Sequence, residues 1–172
     1  MFDYNSITAI AAVVASIVAI YAIWSENRRS NFILGMDLIM RLDDRFFGDP
    51  FKRTRQKAAG RLLSSDFDYG SPDSEPLDDV LDFFEMLAML DSKKVLDKKS
   101  IWTNFFYWLD NYFTASKSYI AYNRKSMPLL WTEIDRLHSD LQKIREKYYV
   151  AYGIPTNDEI KKFLEYKRSL KP

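Results

Sequence analysis

Apolar residues fill positions 7–24, ITAIAAVVASIVAIYAIW, without a charge, a Pro or a Gly. About 18–20 such residues at a rise of ~1.5 Å per residue span the roughly 30 Å hydrocarbon core of a bilayer. The run therefore predicts a transmembrane helix. A secretory signal would need a basic start and a small-residue cleavage site. This chain opens Met1-Phe2-Asp3-Tyr4-Asn5, and its run closes on Tyr21, Trp24 and Glu26. A soluble core helix of this length would show a polar face, and none is present. At about 100° per residue, Thr8, Ala11, Ala12, Ala15, Ser16, Ala19 and Ala22 gather on one side, and Ile7, Ile10, Val13, Val14, Ile17, Val18, Ile20 and Tyr21 on the other. Small side chains let two helix backbones approach closely in lipid, so this stripe is a predicted association face toward a second copy or another membrane protein.

Beyond the run the apolar period shortens to that of amphipathic helices. Residues 25–47 continue the first helix with Phe32, Met36, Ile39 and Met40, Gly35 marking a bend, and Gly48-Asp49-Pro50 ends it. A basic helix follows over 50–64, then a turn-rich loop over 65–76. A third helix covers 77–90. Asp97 caps a fourth over 98–122, which is dense in aromatics. Leu130, Ile134, Leu137, Leu141, Ile144 and Tyr148 alternate by four and three in a fifth, too short for a long coiled coil. Thr156 and Glu159 form a capping box for a last helix to residue 170. No segment alternates as a strand. The expected fold is all-α: a transmembrane anchor over 1–25 and a cytoplasmic domain over 26–172, a bundle of about five to six helices.

Charge sets the orientation. No Lys or Arg precedes the run, whereas Arg28, Arg29, Arg41 and Arg45 follow it. Basic residues stay in the cytoplasm, which places the N-terminus outside and the C-terminal domain inside. The net charge of +1 gives no basic excess for nucleic acid, so no nucleic-acid partner is expected. Cysteine is absent, which is compatible with any compartment.

Taken together, the anchor, Leu38-Ile39-Met40-Arg41-Leu42-Asp43, Arg53 and Arg55, Val80-Leu81-Asp82-Phe83-Phe84-Glu85, Val95-Leu96-Asp97 and Trp102 with Phe105, Phe106 and Tyr112 resemble an uncharacterised prokaryotic family of membrane-anchored helical proteins, the domain of unknown function DUF4760. The likeness covers most of residues 25–150. It implies a helical domain on the cytoplasmic side of the inner membrane of a bacterium or archaeon, and supplies no activity or site residues.

Candidate chemistry is sparse. Asp78, Asp82 and Glu85 share a helical face and would hold Mg²⁺ only if a second helix offered matching carboxylates, which none does; a solvated face is the expectation. His138 is the single histidine, one turn after Asp135, which rules out a paired Glu-x-x-His di-iron site. No metal site, Gly-rich phosphate loop or cofactor is expected. Lys52, Arg53, Arg55, Lys57 and Arg61 in the basic helix are candidates for an anionic ligand or lipid headgroups, with Lys161, Lys162, Lys167, Arg168 and Lys171 in the last helix reading likewise. The aromatics between Trp102 and Phe113 exceed one core stripe and suggest a contact surface. The expected function is a non-enzymatic, membrane-anchored interaction or scaffold module that self-associates or docks a protein partner. The alternatives are a ligand-gated membrane effector in prokaryotic stress or phage defence, and a Mg²⁺-dependent phosphohydrolase using Asp78, Asp82 and Glu85.

Overall fold

The computed structural model describes residues 4–65, 67–148 and 153–169, and within the first helix the side chains of 18–23, 25–26 and 33 onward. Among these residues the secondary structure is entirely helical: α1 (Tyr4–Phe47), α2 (Asp49–Leu62), a 3-10 turn (Pro72–Ser74), α3 (Glu75–Ser92), α4 (Lys98–Ala115), α5 (Lys117–Asn123), α6 (Thr132–Tyr148) and α7 (Asn157–Ser169). The all-α expectation holds. The chain forms two compact units, Met1–Asp37 and Leu38–Pro172.

In the first unit α1 is helical from Tyr4, and Gly35, the expected bend position, lies within the helix. One Gly costs a helix about 1 kcal/mol relative to Ala and does not by itself break it. The side chains of Thr8, Ala11, Ala12, Ala15 and Ser16 lie outside the described residues; Ala19 and Ala22 are exposed. Among the described residues no helix is long and apolar enough to cross a membrane.

The second unit is a helical bundle. Ile39, Leu42 and Phe46 bring the last turns of α1 into its core. At Gly48 the chain turns into α2: its N–H donates to the Asp44 carbonyl at 2.8 Å, and a Cβ there would lie 2.7 Å from that oxygen. That close approach requires glycine. The helix α3 packs on α2, α4 and α6, and α7 returns to α2. Leu77, Leu81, Phe84 and Leu87 from α3 and Phe105, Leu109 and Tyr112 from α4 are fully buried between them. Each contributes roughly 1.5–3 kcal/mol by leaving water.

Both predicted caps form. The Asp97 carboxylate accepts the Ser100 N–H at 3.0 Å, while Thr156 and Glu159 exchange the two bonds of a capping box. The helix expected over 98–122 is divided at Ser116. There the backbone N–H is shared between the Tyr112 and Phe113 carbonyls at 2.9 and 3.2 Å, and the tighter bond lifts the chain out of α geometry. Trp131, just before α6, holds φ 55°, a conformation L-residues seldom adopt. Its buried indole donates to Asp82 Oδ1 at 2.7 Å, and Arg124 donates to the Leu130 and Trp131 carbonyls at 2.8 and 2.6 Å.

Candidate functional site

The basic residues of α2 separate in space. Phe51, Arg55, Ala58, Ala59 and Leu62 recur at i, i+4, i+7, i+8 and i+11, the spacing of one face, and this face turns inward. Arg55 thus occupies a core position and is 5 % exposed. Arg53 and Lys57 are exposed, and Arg61 pairs with Asp73. Lys57 and Arg61 border a cleft of about 510 Å³ whose wall also holds Asp73 and Glu75, so its charge is mixed. The five candidates therefore do not form one anion site.

Arg55 has an unusual setting. Its guanidinium lies 4.3 Å from the ring centres of both Phe46 and Trp108 and 5.2 Å from that of Phe47. Its Nε has no hydrogen-bond partner, and among the described residues no carboxylate pairs with it. From α7 the Lys167 ammonium reaches the same indole, 3.9 Å from the Trp108 centre, and also approaches Tyr166 and Phe163. Burial, and then the charge of Arg55, pull the Lys167 pKa down to about 8. Burial also lowers the pKa of Arg55. Two cations thus share an aromatic wall, and among the described residues no carboxylate pairs with either. Between them lies a cavity of about 10 Å³, lined also by Lys52 and Gln56.

On the acidic face of α3 Asp82 is exposed and Asp78 and Glu85 are half-buried, and all three carboxylates accept hydrogen bonds from the neighbouring elements. Asp78 accepts the Tyr119 hydroxyl at 2.5 Å, Asp82 accepts the Trp131 indole N–H, and Glu85 accepts the N–H groups of Glu133 and Ile134 at 3.2 and 2.9 Å. The three carboxylates clamp α5 and the start of α6 onto α3. Burial raises the pKa of Asp78 and Glu85, and that of Tyr119 is pushed up to about 12 by burial and by its bond to Asp78. Among the described residues no group of three or more His, Asp or Glu is placed to hold a metal ion.

His138 bonds not to Asp135, which pairs with Arg124, but to Asp110 of α4. The Asp110 carboxylate receives His138 Nε2 at 2.7 Å, Gln142 Nε2 at 2.8 Å and Arg145 Nη1 at 2.9 Å. Arg145 also donates to Gln142 and to the Gly153 carbonyl. His138 also meets Gln142 Nε2 at 3.0 Å, and no serine or threonine hydroxyl among the described residues bonds to it. Asp110 and Arg145 line a cleft of about 760 Å³ between α4 and α7, walled by Phe106, Tyr107, Phe163 and Tyr166. Its charges are already matched.

With this geometry established, a comparison with known families shows that residues 9–141 match the domain of unknown function DUF4760. The chain belongs to the DUF4760 family. Neither a curated protein nor a solved structure matches it. The DUF4760 match takes in Arg55, Phe46, Phe47 and Trp108, the α3 carboxylates, Asp110 and His138, and it ends before Gln142, Arg145 and Lys167. The aromatic wall and its buried arginine thus fall within the DUF4760 stretch, while the second cation comes from the chain beyond it. The inward face of α2 carries a sequence signal for Arg55, a lone arginine on an apolar stripe. Lys167 carries none, because its position depends on how α7 docks.

Proposed function

We propose that the chain is a non-enzymatic, membrane-anchored helical module. Residues 7–24 cross the inner (cytoplasmic) membrane with the N-terminus outside, and the bundle works in the cytoplasm by self-association or by docking a protein partner. One observation carries this reading. Residues 18–23, VAIYAI, are all exposed, with Val18, Ile20, Tyr21 and Ile23 each between 60 and 67 % exposed, and six consecutive residues at about 100° each cover every side of the helix. A helix apolar all round needs lipid or another chain to cover it. The sequence supports lipid, through the uncharged length of the run and the arginines on one flank only. The stripe of Thr8, Ala11, Ala12, Ala15, Ser16, Ala19 and Ala22 is the proposed association face within the membrane.

The test is membrane fractionation of the full-length protein followed by its mass in a neutral detergent. Retention in the pellet after alkaline carbonate washing is expected, as is an oligomer that Ala15→Leu with Ala19→Leu dissociates. Release by carbonate would refute the anchor. A mass insensitive to the two leucines would refute the stripe alone.

A further inference from the structure

We propose that Arg55 and Lys167, with Lys52 at the rim, form a binding site for a small oxyanion of the phosphate class. This inference does not depend on the membrane anchor. The charge balance is its starting point. Taking a cation out of water costs several kcal/mol unless an opposite charge meets it. Arg55 is 5 % exposed, and no acidic group among the described residues pairs with it or with Lys167. Aromatic faces return part of that cost, about 2 kcal/mol for a desolvated cation. They neither fill the guanidinium N–H directions nor neutralise two adjacent positive charges. Arg55 Nε is a buried donor without an acceptor, and such donors normally have one.

The space and the charge select the ligand. The cavity beside Arg55, Lys167, Lys52 and Gln56 measures about 10 Å³, room for one water-sized oxygen atom. The rest of the ligand must sit at the mouth, where Lys52 stands. A guanidinium presents parallel N–H groups that match the oxygens of a phosphate or carboxylate. A carboxylate would neutralise only one of the two cations, whereas a phosphate group carries about −1.5 to −2 and meets both. The phosphate can be a soluble monoester or inorganic phosphate, or the monoester headgroup of a lipid such as phosphatidic acid; in each the chemistry at Arg55 and Lys167 is the same.

The experiment uses the full-length protein in a neutral detergent, titrated with inorganic phosphate at constant ionic strength. Intrinsic fluorescence follows the environment of Trp108, with Trp108→Phe to assign the signal, and thermal melting provides a second readout. Saturable quenching or enhancement and a melting temperature that climbs with phosphate are expected. Lys167→Met and Arg55→Met should each weaken binding by about tenfold or more, with unchanged circular dichroism showing that both still fold. Vesicles containing phosphatidic acid, a phosphate monoester, set against phosphatidylcholine identify the source. Competition with inorganic phosphate by the anionic vesicles alone assigns a lipid headgroup, and its absence alongside phosphate binding assigns a soluble ligand. No saturable response to phosphate, an equal response to chloride, or a response that folded Lys167→Met and Arg55→Met both retain in full would overturn the proposal.

Discussion

Arg55 and Arg145 are buried to nearly the same depth, 5 and 4 % exposed, and each contacts α4, Arg55 at Trp108 and Arg145 at Asp110. Arg145 meets a carboxylate at 2.9 Å that is itself held by His138 and Gln142. Arg55 meets three aromatic rings and a second cation. Both side chains lost similar hydration on folding, yet only one recovered an opposite charge. The difference separates a closed structural network, complete within the chain, from an open one with unused donors and surplus positive charge. Burial alone does not distinguish the two; the identity of the partner does.

The largest expected effect breaks the closed side. Asp110→Ala strands Arg145 as an uncompensated buried charge and should cost about 3–5 kcal/mol, read as a lower denaturant midpoint at unchanged slope. A loss near zero would mean that water already solvates the pair. On the open side, Arg55→Met removes a buried charge without orphaning a partner, and methionine packs well against rings. In phosphate-free buffer it should raise stability by about 1 kcal/mol. Lys167 sharpens the contrast through pH. Its pKa falls from 10.5 to about 8 on folding. Below pH 8 both states hold the proton and the folded state bears the full penalty. Between about 8 and 10.5 the unfolded state holds more protons, so this group makes stability increase with pH. Lys167→Met should flatten that increase in melting curves collected across the window. The smallest effect is the control: Arg61→Ala removes an ion pair with Asp73 at the surface and should shift stability by less than about 1 kcal/mol.

Much of the bundle was legible in the sequence because helical periodicity and capping are local signals. Asp97 and the Thr156–Glu159 box sit where their spacing placed them. The break at Ser116 was not legible, since it arises from a shared hydrogen bond in a buried turn and not from a Pro or Gly. Asp78, Asp82 and Glu85 read as a hydrated face because their partners, Tyr119, Trp131 and the first N–H groups of α6, lie far along the chain. The basic helix read as a single cluster of five cations, whereas the apolar stripe through Arg55 already set one of them apart. Its companion Lys167 and the rings of Phe46 and Trp108 meet it only through tertiary packing.

The left-handed backbone of Trp131 has a kinetic meaning. Holding φ 55° costs a residue with a side chain about 1–2 kcal/mol, and locally only the Arg124 bonds to the Leu130 and Trp131 carbonyls offset it. The remaining compensation comes from distant elements, when Asp82 on α3 accepts the indole N–H and the ring is enclosed. Late closure of the turn that feeds α6 is the expectation, to be read from folding and unfolding rates: Asp82→Asn should accelerate unfolding and leave the refolding rate almost unchanged, and an equal slowing of refolding would refute it.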